Sequence, residues 1–278
     1  MRFLINHLNQ LQELTLVRDE QKISLAGMHT AQLDESIREM KERLPPGRAA
    51  QFDRLHAKHA TVMAPVADGT CSMCGMRLPI SLVQAVRMER ELQTCPTCAR
   101  ILFAADSAPK WVGRKLRRSE PRKVGIARFS SQDLMLPGLE AATKEDAIAE
   151  LALTLEKAGF VDKADRLAEA ALRREAIIST AVDHGIAFPH VRGVEGGGLT
   201  LALGISRKGI KWDGLKGKPS RFLFFMMIPT AASAFYLKLL AGLADTFASA
   251  DARNALLEEE DADGLWRALQ KLTRSTIK

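Results

Sequence analysis

The chain has 278 residues, 46% hydrophobic and 26% charged, which is ordinary globular composition and excludes a disordered chain. No stretch approaches the ~20 apolar residues that span a bilayer, and the polar Asn6, His7, Asn9, Gln10 and Gln12 exclude a secretory signal, so a cytoplasmic chain is expected. The formal charge is +7. Much of the excess sits in one stretch, where Lys110, Arg114, Lys115, Arg117, Arg118, Arg122 and Lys123 face a single Glu120. Such a stretch can meet nucleic acid or an acidic protein, or serve as a solvated linker.

Residues 1–44 carry helical periodicity. Leu4, Leu8 and Leu11 recur at four and three; the pattern slips, then Ala26, Thr30, Leu33, Ile37, Met40 and Leu44 resume it. That reads as a coiled-coil seam with a break in register. Pro45-Pro46-Gly47 reverses the chain, and Phe52, Leu55, His59 and Val62 repeat the spacing on a second helix. The expectation is an antiparallel helical hairpin over 1–65, whose stripes face each other or a second copy in a homodimer.

All four cysteines follow, as Cys71-Ser-Met-Cys74 and Cys95-Pro-Thr-Cys98, twenty residues apart. Each pair puts two thiolates on one point, and four thiolates close a tetrahedral zinc shell with no open position. The expected cofactor is one structural zinc per chain. A redox dithiol pair is the competing reading, but neither pair lies in a βαβ context. The segment Val66-Ala-Asp-Gly-Thr-Cys71, with Leu78-Pro79 and Cys95-Pro-Thr-Cys98-Ala-Arg-Ile-Leu102, resembles the C4-type zinc ribbon that follows a coiled-coil hairpin in a family of bacterial proteins. The resemblance covers about 1–105, with the ribbon at 66–105, and implies an adaptor for protein or nucleic acid.

After the basic linker at 106–124 the pattern becomes α/β. Thr143 caps a helix with Asp146 three residues on; Ile148, Leu151 and Leu155 give its apolar face, and Gly159 stops it. A helix over 163–174, a strand over 199–205, a central strand over 221–228 ended by Pro229, and helices over 235–248 and 261–273 complete a mixed sheet flanked by helices. The predicted fold is therefore multidomain.

Of the six histidines, His7, His29, His56 and His59 lie on the expected hairpin and draw no role. His184 and His190 differ. Arg174-Glu175, Ser179-Thr180 and Gly185-Ile-Ala-Phe-Pro-His190 resemble, at matching spacings, the enzyme IIA domain of the bacterial phosphotransferase system, in its fructose/mannitol and nitrogen-regulatory branch. Gly209-Ile-Lys-Trp-Asp213, Gly217-Lys-Pro219 and Leu237-Lys-Leu-Leu-Ala-Gly-Leu243 extend the resemblance over 125–278. It implies that His190 is phosphorylated, that the donor is a histidine-containing phosphocarrier protein, and that a IIB component or a regulatory target receives the signal.

The chemistry agrees. A neutral imidazole is a nucleophile near pH 7, and a planar guanidinium such as Arg174 can grip two phosphoryl oxygens. No Gly-x-x-x-x-Gly-Lys-Ser/Thr loop is present, so ATP is not bound through a P-loop. Two positions depart from the family. Tyr236, the one tyrosine, stands where the family has a second histidine, and Ala181 replaces a glycine. His184, Ser179 and Thr180 are accessory candidates beside Tyr236; His184 is otherwise a loop residue. A second function class remains: a zinc-ribbon adaptor whose IIA domain senses without transferring.

Overall fold

A computed structural model describes residues 1–24, 30–104, 123–194, 198–212, 219–229 and 233–278, apart from the side chains of residues 2, 24, 233 and 234. Ala26, His29, the basic stretch up to Arg122, Gly196, Gly197, Asp213, Gly217 and Lys218 lie outside the described residues. The chain divides into two units, Met1–Ala108 and Pro109–Lys278.

The first unit begins with helices α1 (Arg2–Ser24), α2 (Ala31–Glu42) and α3 (Arg48–Lys58). The two-helix hairpin expected from the apolar spacing is therefore corrected to three helices. Helix α1 runs on to Ser24, past Leu11 where the expected pattern slips, and Gly47, in the left-handed region at φ 78°, starts α3 after the two prolines. Helix α3 ends at Lys58: His59 is extended, with φ −140° and ψ 138°, and Val62 leads into a strand. Ala60-Thr-Val-Met63 supplies β-branched and apolar residues, which favour the extended chain.

The stripe residues Leu8, Leu11, Ile37, Leu44, Phe52 and Leu55 pack with Val62, Met63 and Ile101 in one core. The predicted stripe is apolar and packs against a sheet as well as against helices, and these side chains are buried within the chain itself. Gln12 fixes α1 to that sheet, its carbonyl oxygen accepting the Val62 and Met63 N–H groups at 2.7 Å each.

The sheet is small. Its order is β2-β1-β4-β3, with β1 (Met63–Ala67), β2 (Thr70–Cys71), β3 (Gln93–Thr94) and β4 (Ile101–Ala104). Asp68 and Gly69 make a two-residue turn between β1 and β2, with φ 48° and 73°, the handedness that antiparallel hairpins prefer. Helix α4 (Ile80–Met88) lies between β2 and β3.

Among the described residues the second unit has a six-stranded mixed sheet. Its centre is β10 (Ser220–Pro229), almost wholly buried, as its unbroken apolar run predicts. On one side β10 pairs antiparallel with β9 (Thr200–Ile210), which pairs parallel with β5 (Met135–Leu136). On the other side lie β7 (Ile186–Ala187) and β8 (His190–Val194), both parallel to β10, with β6 (Ala181–Val182) antiparallel to β7. Strand β9 runs five residues beyond its expected end, because Arg207-Lys208-Gly209 continues the strand across a register shift between Ser220 and Phe222 rather than turning.

Helices α5 (Lys144–Lys157) and α6 (Ala164–Glu175) pack together, α5 also on β9 and α6 on β8. The Thr143 hydroxyl accepts the Asp146 N–H at 3.1 Å, the expected cap. Helices α7 (Ser233–Ala248) and α9 (Ala262–Thr273) appear where expected. Helix α8 (Ala250–Glu258), capped by Ser249, was not expected; only Ala252 and Leu256 on it are buried, too few to give a readable period.

Candidate functional site

Two constellations carry chemistry, one in each unit. In the first unit, both Cys-x-x-Cys segments fold into the same turn. Cys71 N–H donates to Met76 and Gly75 N–H donates to Cys71; Cys95 N–H donates to Arg100 and Ala99 N–H donates to Cys95, all at 2.8–2.9 Å. In each turn the residue four after the first cysteine is left-handed: Gly75 at φ 72°, and Ala99 at φ 60°. Glycine takes that conformation freely and alanine is strained there.

The turns bring the four sulfurs within 4.8 Å of one another. Cys71 Sγ lies 3.9 Å from Cys98 Sγ, and Cys74 Sγ lies 3.6 Å from Cys95 Sγ. Zinc–thiolate bonds of about 2.3 Å at tetrahedral angles set sulfurs about 3.8 Å apart, so the donor set fits that ion. Sulfurs at these separations are far from the ~2.05 Å of a disulfide. Burial pushes the Cys71 thiol up to about 12. Burial also opposes the Cys95 thiolate, but the Cys98 and Thr97 N–H groups outweigh it and bring this thiol down to about 7. His59 is no ligand; its ring meets the Cys98 backbone, and burial together with the Arg100 charge holds it below the usual imidazole value.

In the second unit the site is assembled around His190, the first residue of β8 and almost wholly buried. Pro189 has no N–H and breaks the line of strand between β7 and β8. At the break, the Phe188 carbonyl accepts the His190 Nδ1–H at 2.9 Å. Arg174 Nε–H donates to His190 Nε2 at 3.1 Å. A carbonyl only accepts and a guanidinium only donates, so these two contacts define one neutral tautomer, with the lone pair on Nε2.

Arg174 faces the core because α6 buries Ala164, Leu167, Ala168, Ala171, Arg174 and Glu175, one helical face at spacings of three and four. Its Nη1–H also donates to the Ile178 carbonyl at 3.0 Å, which fixes the plane of the guanidinium.

The remaining candidates divide. The Tyr236 hydroxyl lies 3.5 Å from His190 Nδ1, the rings 5.3 Å apart and tilted by 43°, and the Arg192 guanidinium stacks on the Tyr236 ring at 4.8 Å. Thr180 is bonded to Glu175 instead: its N–H and hydroxyl donate to the two carboxylate oxygens at 2.8 and 2.7 Å. Trp212 Nε1–H donates to the same carboxylate at 2.7 Å. Ser179 accepts the Ala181 N–H at 3.2 Å and shapes the local turn.

His184 is not brought to the site. It is exposed, left-handed at φ 70°, in a 3-10 turn before Ile186. Ile186 pairs with Phe222 and His190 with Met226, so His184 stands beyond the far end of that ladder. At ~3.3 Å per residue the ladder alone separates the two ends by about 13 Å. Sequence reasoning missed the Glu175 and Trp212 node and the stacking of Arg192; the signals for the former were Glu175, Thr180 and Trp212 standing in the matched motifs.

Comparison with known proteins agrees with this division. Residues 70–102 match the family model of the C4-type zinc ribbon domain. Over 119 residues the chain is 36% identical to the PTS system fructose-specific EIIA component of Haloferax volcanii, covering 43% of this chain and 77% of that protein. It is 31% identical over 127 residues to the fructose-specific EIIABC component of Bacillus subtilis, covering 46% of this chain and 20% of that protein, so it spans only a fifth of that relative. It is 28% identical over 148 residues to a nitrogen regulatory protein of Bradyrhizobium diazoefficiens, covering 52% of this chain and 94% of that protein. Among the described residues no helix is long and apolar enough to cross a membrane. Residues 128–272, more than half of the chain, match the model of the phosphoenolpyruvate-dependent sugar phosphotransferase system EIIA 2 family, and the chain belongs to that family.

Proposed function

We propose that the chain is a phosphoryl carrier that accepts its group on His190 Nε2 from a histidine-containing phosphocarrier protein. The observation that supports it most is the pair of contacts on the imidazole: Nδ1–H held by the Phe188 carbonyl, Nε2 facing the Arg174 guanidinium. The lone pair on Nε2 attacks phosphorus, the bond from phosphorus to the donor's ring nitrogen breaks, and a P–Nε2 bond forms. Arg174 holds Nε2 in place before transfer and moves its N–H groups to the phosphoryl oxygens as they arrive.

The output is regulation rather than sugar uptake alone. A ribbon with one structural zinc on Cys71, Cys74, Cys95 and Cys98 supplies a docking module, and relatives bear the name nitrogen regulatory protein. The zinc cross-links the two turns and does no chemistry on a substrate. The chain works in the cytoplasm, with a IIB component or a regulatory protein downstream. A second reading, an adaptor with a non-transferring IIA domain, is favoured by one observation. The ribbon exposes Ile80 at 78%, Met88 at 61% and Met76 at 44%, which suits a protein partner better than nucleic acid.

Incubation with the purified general phosphotransferase proteins and labelled phosphoenolpyruvate tests the carrier reading. The expected label is acid-labile and base-stable and is abolished in His190→Ala. An unlabelled wild-type protein, or label surviving in His190→Ala, puts the adaptor reading first.

A further inference from the structure

We propose that Tyr236 makes the phosphorylated state of His190 long-lived, by donating its hydroxyl to Nδ1 once Nε2 carries the phosphoryl group. The inference rests on the carrier reading and concerns what happens to the ring proton afterwards. Before transfer, Nδ1 carries hydrogen and the Phe188 carbonyl accepts it at 2.9 Å. On transfer, the donor's N–P bond breaks and the P–Nε2 bond forms, leaving His190 momentarily an imidazolium. To become neutral it gives up the Nδ1 proton; in net terms that proton ends, by way of solvent, on the ring nitrogen that the donor has vacated.

The two forms of the phosphorylated ring differ in lifetime. The cation is a good leaving group, so its P–N bond breaks readily; the neutral ring is a poor one. Phe188 favours the cation, since its carbonyl accepts a hydrogen but repels a bare lone pair at 2.9 Å. A site made of Phe188 and His190 alone is therefore tuned for quick loss of the group.

Tyr236 supplies the opposite preference. Its hydroxyl stands 3.5 Å from Nδ1, at the outer limit of hydrogen bonding. A tilt of a few tenths of an ångström turns that contact into an O–H···N bond to the neutral ring. The Arg192 guanidinium on the Tyr236 ring face draws electron density from the phenol and strengthens it as a donor. Of the charged groups at the site, Arg174 from α6 and Arg192 from β8 are cations and disfavour a third, whereas the phosphoryl group's own negative charge favours the protonated ring; the phenol adds its weight to the arginines' side. From β10 the neighbour of His190 is Met226, which is uncharged. A phenol adds no positive charge to the phosphoryl oxygens, as a histidine here could. It holds Nδ1 neutral instead, which suits a stored signal better than a fast relay.

The full chain is charged from labelled phosphoenolpyruvate, separated from the donor proteins, and followed for loss of label across about pH 5–9. Tyr236→Phe should lose label roughly three- to tenfold faster near neutral pH, the effect of one neutral hydrogen bond. Because the phenol stabilises the unprotonated ring, the midpoint of the profile should move to higher pH in the variant. Nitrogen NMR of the phosphorylated wild type should show Nδ1 unprotonated and hydrogen-bonded at neutral pH. Equal lifetimes and midpoints in a folded Tyr236→Phe overturn the inference. Should that variant not fold, a protonated Nδ1 in the phosphorylated wild type overturns it equally. Absence of label in the wild type is a different failure: it defeats the carrier reading and takes this inference with it.

Discussion

The cysteine cluster and the histidine site are built in opposite ways. The cluster is two copies of one short turn, each closed by its own backbone bonds, so its ligands are local in sequence. The histidine site draws Arg174 from sixteen residues before His190 and Tyr236 from forty-six after it. It exists because α6 packs on β8, while β8 and α7 both pack on the central strand. A locally built site depends on what joins its halves and should fail as a whole. A site built from distant elements should fail in parts, each removal costing its own contact.

The largest effect expected is loss of metal. Structural zinc contributes about 10–16 kcal/mol to small ribbons, more than so small a sheet can replace. A chelator, or Cys95→Ser, should unfold the ribbon and loosen α1–α3 as well, because Met63 and Ile101 belong to the helices' core. Calorimetry with metal analysis should show the second unit's transition unchanged; a single transition that shifts as one would break the comparison.

Next comes Glu175→Ala, which removes the acceptor for Thr180 N–H, Thr180 O–H and Trp212 N–H in a buried place. Stranded donors cost about 1–3 kcal/mol each, so denaturant melts should show the second unit weakened by about 3 kcal/mol or more, with metal content intact. Arg174→Ala should slow labelling ten- to hundred-fold, from loss of charge-assisted contacts of about 1.5–3 kcal/mol. Arg174→Lys should recover part, since an ammonium lacks the planar fork. Equal rates in all three proteins would mean that Arg174 only orders the helix end. The smallest effect sharpens the local side: Ala99→Gly should stabilise the ribbon by about 0.5–1 kcal/mol, because glycine relieves the left-handed strain at φ 60°. An unchanged melt would show that the two turns are not energetically alike.

What could be read from the sequence follows the same division. The four cysteines were legible because ligand spacing is a local property, and His190 with Arg174 because a long motif surrounds them. The central strand was legible from its unbroken apolar run. Helix α3 was overextended, since Leu55, His59 and Val62 keep helical spacing while His59 is already extended and Val62 lies just before β1. The Trp212 contact to Glu175 was not legible, because tertiary folding brings the two together across thirty-seven residues. His184 shows the converse: nearness in sequence to His190 is undone by a strand running between them.

The proline break between β7 and β8 sets a rule about chain length. Ala187 pairs with Leu223 and His190 with Met226, so the chain advances three residues on each strand across the break. The register is therefore kept although Pro189 offers no N–H there. One residue added or removed between Ala187 and His190 would shift β8 by a single step, and a single step turns every side chain to the opposite face of the sheet. The imidazole would then point away from Arg174 and Tyr236; after a deletion Val191 would stand against Met226 in its place, after an insertion Pro189 would. At Phe188 the carbonyl makes the contact while the buried ring stacks on Phe224, so another apolar residue could serve there, but the count of residues has no latitude.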